Sequence, residues 1–301
     1  MSQGERYAAV EAGGTKVICL VGSDPDDVVA DIRIPTTTPA ETLGAVIDFF
    51  AAQAGAGNGV VACGIASFGP VELRRSHPKY GHITTTPKLE WVDVDVVGPI
   101  SRALGVPVGF DTDVDGAALG EGRWGAGQGL STFVYLTVGT GIGGGAIVGG
   151  KVAHGMVHAE MGHVSVPRHP DDRYEGGCPY HGDCFEGMAS GPALEARWGG
   201  SAEELRGEAR ARAVDMEAFY VAAGIRNIVY TLAPERVILG GGVSEMDGLP
   251  AAVRHHLVAG LGRYPGLEEH RSADFVVPAA LGGMAGPSGA LVLADLALRG
   301  E

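Results

Sequence analysis

Basic residues are scarce in this chain: lysine and arginine together number 22 against 36 aspartates and glutamates, a formal net charge of −14. No basic stripe is available to neutralise a phosphate backbone, so no nucleic-acid partner is expected, and any phosphate must be held by backbone amides and metal. Cysteine is scarce too. Of the four in 301 residues, Cys19 and Cys63 stand alone inside apolar runs, so no disulfide framework is expected and a reducing cytoplasm is the expected compartment. No apolar run approaches membrane-spanning length, and the opening MSQGERYAAV has no charged and then apolar leader. A cytoplasmic protein with no membrane partner is the expectation. Glycine, by contrast, is abundant at 50 residues without a collagen-like period, and hydrophobic residues at 45% can fill the core of two α/β lobes or one large domain.

Read along the chain, Tyr7 to Val10 and Val17 to Val21 are apolar strands joined through Glu11-Ala12-Gly13-Gly14-Thr15-Lys16, a hairpin whose glycines can turn amides toward an anion. Residues 39–54 have helical spacing, Val60 to Ala66 is a buried strand, and Gly69 to Trp91 is a long irregular loop. Val106 to Phe110 reads as a strand and Val114 to Glu121 as the start of a helix, which places Asp113 at a strand's carboxyl end. Aspartate also favours helix N-caps.

The opening scheme then recurs, with Phe133 to Val138, a loop Gly139-Thr140-Gly141-Ile142-Gly143-Gly144-Gly145 and a return strand at Ala146 to Val148. The chain reads as internally duplicated. Gly139, Gly141 and Gly144 satisfy the spacing of a dinucleotide fingerprint, but that fingerprint needs a helix next, and a strand follows. Two phosphate-facing glycine hairpins remain, with ordinary tight turns as the plainer reading. Helices are expected over 202–214, 216–231 and 286–298, and strands over 236–239 and 276–280. Gly240, Gly241 and Gly242 at a strand end would let a flat ligand such as a nucleotide approach, or simply form a turn.

The chemistry concentrates between His154 and Pro192. Cys178, His181 and Cys184 form C-x-x-H-x-x-C, Glu160 and His163 form E-x-G-H, and Glu186 follows. Three ligands at two-residue spacing, with His163 able to supply a fourth, suit a closed tetrahedral zinc site; a Cys178–Cys184 disulfide is the alternative.

These residues, in this order, resemble the ROK family of sugar kinases and repressors, its fructokinase-like branch most of all. The resemblance implies an α/β, actin-like or ribonuclease H-like duplicated two-lobe ATPase fold, with an N-terminal lobe over 1–118 and a C-terminal lobe over 119–301. The closing helix near 286–298 would return to the first lobe, and sugar would bind in the cleft between lobes. It also implies an ATP-dependent hexose kinase, most of all a fructokinase, using Mg-ATP and structural Zn2+ and working as a homodimer. Asp113 would be the catalytic base, and Glu160 and Glu186 would hold sugar hydroxyls, joined by Thr112. Gly13, Gly14, Thr15, Lys16, Gly139, Thr140, Gly141, Gly241 and Gly242 would hold ATP, although Lys16 equally suits a solvated turn. His163, Cys178, His181 and Cys184 would hold zinc. The family often has Asn where this chain has Thr112 and Asp115. Its repressors carry an extra N-terminal winged helix, for which no room is expected ahead of Glu11, and a zinc hydrolase would need an open metal position.

Overall fold

The computed structural model describes residues 4–301 apart from 203 and 265. The strands Tyr7–Ala12 (β1) and Lys16–Gly22 (β2), rich in apolar and β-branched residues, pair antiparallel with Ala12 opposite Val17, so Gly13, Gly14 and Thr15 make the turn. Val28–Pro35 (β3) adds to β2 as an edge strand. Its largely exposed sequence, VVADIRIP, shows no clean alternation, which is why the sequence alone does not mark it as a strand. Thr38 caps the helix Pro39–Gly55 (α1) by accepting from the Glu41 amide, and Thr42, Val46 and Phe50 form its buried stripe. Ala62–Ser67 (β4) lies parallel to β1. After Val97–Leu104 (α2), also unmarked in the sequence, Val108–Thr112 (β5) lies parallel to β4 and leads directly into Asp113–Trp124 (α3).

The scheme then repeats. Phe133–Val138 (β6) and Ile142–Val148 (β7) form the second antiparallel hairpin, followed by Lys151–Val152 (β8), Phe185–Ala189 (α4), Gly191–Trp198 (α5) and Gly207–Leu232 (α6). Arg236–Gly240 (β9) lies parallel to β6, and beyond Leu249–Leu261 (α7) the short strand Val276–Pro278 (β10) lies parallel to β9. Ala285–Arg299 (α8) closes the chain. Strand order is β3-β2-β1-β4-β5 in one sheet and, in the same sense, β8-β7-β6-β9-β10 in the other. The duplication inferred from two glycine turns is therefore present in the topology.

The chain divides into two compact units, one comprising residues up to Gln128 with Val152–His158 and Gly283–Glu301, the other Gly129–Lys151 with Ala159–Gly282. In the first, Tyr7, Ala9, Leu20, Ala62 and Ala66 pack under Ala290, Leu291, Leu293 and Ala294 of α8. A second cluster joins Val10, Cys19 and Ile65 to Val46, Phe50, Trp91 and Ile100. Helices α3 and α8 touch backbone to backbone, because a Cβ at Gly120 or Gly289 would collide with the facing helix. In the second unit, Phe185 lies against Gly224 of α6.

One expectation is corrected here. The two helices read at 202–214 and 216–231 are a single helix, α6, which begins at Gly207; residue 203 lies outside the described residues. Nothing at Val214-Asp215-Met216 breaks a helix. The apparent boundary is a change in burial, from an exposed first turn to the buried run that starts at Ala213. Among the described residues, no helix is long and apolar enough to cross a membrane.

Candidate functional site

In the first unit the catalytic candidate stands where β5 becomes α3. Thr112 is the N-cap: its hydroxyl accepts from the Asp115 amide at 3.1 Å and donates to Asp115 Oδ2 at 2.8 Å. That hydroxyl is buried and bonded within the first turn of the helix. Asp113, one residue on, accepts from the Val114 amide at 2.9 Å and is only partly buried. Loss of water around its carboxyl, reinforced by the Glu11 charge, pushes its pKa up to about 7. Glu11 on β1 is itself raised to about 7 by burial, against the pull of Lys16. Its carboxylate covers Gly286 at the start of α8, where any Cβ would strike it.

Beside them lies a second set of charges. Asp111 and Asp115 are buried, and Nε2 of His154, on the returning segment 152–158, lies 3.0 Å from Asp111 Oδ1 and 3.6 Å from Asp115 Oδ2. His158 on the same segment is buried, with its Nε2 accepting from the Val71 amide at 3.2 Å, next to the cis Gly69–Pro70 bond. Glu11, His154 and His158 escaped assignment from the sequence. Their only signal there was proximity to a glycine turn and a place in the His-rich run HGMVH.

The two hairpin turns expected to face phosphates are both formed. In the first, the Gly13 amide is used by the turn itself, donating to the Lys16 carbonyl at 2.9 Å, while Thr36 donates to the Gly13 carbonyl. Thr15 and Lys16 are exposed. In the second, Gly139 N–H donates to the Gly141 carbonyl at 3.0 Å, and the Gly139 carbonyl accepts from Gly191 at 2.7 Å. Among the described residues, the backbone bonds of these turns leave the amides of Gly14, Thr15, Thr140 and Gly141 unused. Glu186 lies against the second turn, where its Oε2 accepts from the Ile142 amide at 3.0 Å. Gly241, with φ of +85° and no room for a Cβ beside the Val138 carbonyl, folds the loop after β9 onto the end of β6, close to Gly139. The second unit therefore gathers Gly139, Thr140, Gly141, Gly241, Gly242 and Glu186 at one end of its sheet.

The metal candidates converge as well. His163 ends the short turn Met161–His163, which starts from Glu160, and Cys184 is the N-cap of α4, whose first turn holds Glu186. One ligand atom from each of His163, Cys178, His181 and Cys184 lies within 4.8 Å of all the others. Individual separations are 3.5 Å for His163 Nδ1 to Cys184 Sγ, 3.8 Å for Cys178 Sγ to His163 Nδ1 and 3.7 Å for Cys178 Sγ to His181 Nδ1. Tetrahedral zinc with bonds of ~2.3 Å to sulfur and ~2.1 Å to nitrogen separates such donors by about 3.6 Å. The donor set fits. Both cysteines are free thiols, and burial, with Cys178 adding to it, pushes Cys184 up to about 11.

The profile of the ROK family matches residues 7–296. A fructokinase of Zymomonas mobilis is 46% identical over 294 residues, covering 96% of each chain. Among solved structures, a ROK hexokinase from Thermus thermophilus aligns with a TM-score of 0.80 at 29% identity, covering 98% of this chain and 100% of that one. A ROK glucokinase from Streptomyces griseus, solved with glucose and AMPPNP, aligns at 0.72 and 29% identity over 96% and 99%. The duplicated sheets are those of the actin-like, ribonuclease H-like ATPase fold that these sugar kinases share. With the family profile matched from the first strand into the last helix, the chain belongs to the ROK family.

Proposed function

We propose that the protein is an ATP-dependent fructokinase, cytoplasmic and homodimeric. Kinase chemistry is supported most directly by Asp113, a carboxyl at the first turn of a helix whose pKa of about 7 suits a base working near neutrality. Fructose as the acceptor is supported by the 46% identity to the Zymomonas mobilis fructokinase. In this reading Asp113 takes the proton of the attacking sugar hydroxyl as that oxygen bonds to the γ-phosphorus of ATP and the bond to the β-γ bridging oxygen breaks, releasing ADP. Glu160 and Glu186 accept hydrogen bonds from other hydroxyls and so fix which oxygen attacks. The unused amides of Gly14, Thr15, Thr140 and Gly141 donate to phosphate oxygens, and the Gly241-Gly242 loop receives the nucleoside. Magnesium, bound with ATP, would neutralise charge on the β- and γ-phosphates. Zinc would sit between His163, Cys178, His181 and Cys184, two residues from Glu186 and three from Glu160 along the chain, and with four protein ligands its part is structural.

The test is ADP release from MgATP by zinc-replete protein with fructose, mannose, glucose and N-acetylglucosamine as separate acceptors. Fructose should give the highest kcat/KM. Glucose ahead of fructose would reassign the acceptor, as the likeness to the Streptomyces griseus glucokinase permits, and no sugar-dependent turnover at all would remove the kinase.

A further inference from the structure

The first unit crowds four carboxylates, Glu11, Asp111, Asp113 and Asp115, onto β1, the end of β5 and the start of α3. Two of them, Asp111 and Asp115, are buried, and burial beside a like charge makes ionisation costly, with the pKa of Asp115 pushed up to about 6. A compensating cation comes from outside the sheet. His154 lies on the segment 152–158, which belongs to this unit although the chain on either side of it belongs to the other. Its Nε2 spans the pair, at 3.0 Å from Asp111 and 3.6 Å from Asp115.

We propose that His154 is a positioning residue for phosphoryl transfer: by bridging Asp111 and Asp115 it offsets their charge and so sets the field in which Asp113 works. The proposal rests on the reading of Asp113 as the base. Supporting it, the Asp111 hydrogen bond above all raises the His154 pKa to about 10, so the ring is cationic throughout the working range. The charges acting on Asp113 are Glu11 from β1, itself under the pull of Lys16 of β2, and Asp115, which His154 faces together with Asp111. From the long loop after β4, Tyr80 interacts with Asp111 and Arg75, while Glu72 and Arg74, which line one cavity with His154, are paired with each other. From β4 the nearest terminus offers Ser67, which is uncharged. From α8, Asp295 is paired with Arg299 at 2.9 Å and Arg123 at 3.7 Å. No other cation among the described residues is within salt-bridge distance of Asp111 or Asp115.

The expected effects have opposite signs. Loss of the cation in H154Q disfavours ionisation of Asp113, so the acid limb of kcat/KM against pH should move up by roughly half a pH unit. Loss of one carboxylate in D115N should move it down by a similar amount, and H154Q/D115N should return it close to the wild-type position. A purely architectural His154 would lower kcat and leave the limb where it is. The same variants are followed by carbon-13 titration of aspartate carboxyls, with the Asp113 signal assigned from D113N. Limbs and carboxyl titrations that stay within 0.2 pH units in every variant would overturn the proposal. If the carboxyl titration moves while the activity limb does not, or if D113N turns over normally, the base reading fails and takes the role of His154 in phosphoryl transfer with it, leaving only its electrostatic bridge to Asp111 and Asp115. Should H154Q not fold, H154R, which keeps the charge and should keep the limb, and D115N decide the question.

Discussion

At the scale of single residues, the site is a problem of charge. Asp113 and Glu11 are both held near pKa 7 by burial, so each fits the fold best with its proton on. The sign follows from linkage: a carboxyl raised on folding contributes stability that is complete below its unfolded value, about 4, and is lost as pH climbs through 7. The E11Q variant should therefore gain thermal stability relative to wild type at pH 8 and little at pH 4, as thermal melts at the two pH values will show. Activity runs the other way, because only ionised Asp113 can accept a proton. The acid limb of kcat/KM should fall near pH 7, and D113N should keep its fold while kcat drops by about 10²–10⁴, the usual share of a general base. Asp113 was legible in the sequence because it follows a strand and opens a helix. Its partners were not, since Glu11 lies on β1 and His154 on a distant segment, and only the folded sheet brings them together.

At the scale of elements, glycine spacing and ligand spacing were the readable signals. Both hairpin turns and the Cys/His loop stand where the sequence placed them, because a turn or a ligand set is specified by a few consecutive residues. The strand β3 and the helices α2 and α7 were missed for the opposite reason. Their faces are mixed, and their place is fixed by partners elsewhere in the chain. Close contact between elements yields a test, since the Gly116 carbonyl leaves no room for a side chain at Gly289. G289A should cost about 1–3 kcal/mol in urea unfolding, while alanine at Gly283, which has open space around it, should cost much less. The metal loop yields another. Burial pushes the Cys184 thiol up to about 11, and a bound cation would offset that cost where four donors lie within 4.8 Å of one another. C178S should lose zinc by elemental analysis and melt several degrees lower; a variant that keeps its melting temperature and activity without zinc would refute a structural metal.

At the scale of the molecule, the two units answer to different agents. The zinc ligands all belong to the second, within Ala159–Gly282, while the carboxylate corner belongs to the first. Chelation should accordingly raise amide hydrogen exchange over residues 160–190 and the part of α6 around Gly224 that Phe185 touches, with peptides of β1 to β5 unchanged. The discontinuity of the first unit has a further consequence, for biosynthesis. Tyr7, Ala9, Leu20, Ala62 and Ala66 are made more than 200 residues ahead of the helix that covers them, Ala285–Arg299. At about 5–20 residues per second, one face of the first sheet waits on the order of ten seconds or more, bare and apolar, for the helix that covers it. The nascent chain should therefore need that face shielded while it waits, and a message truncated ahead of α8 should yield a protein whose first sheet cannot finish folding.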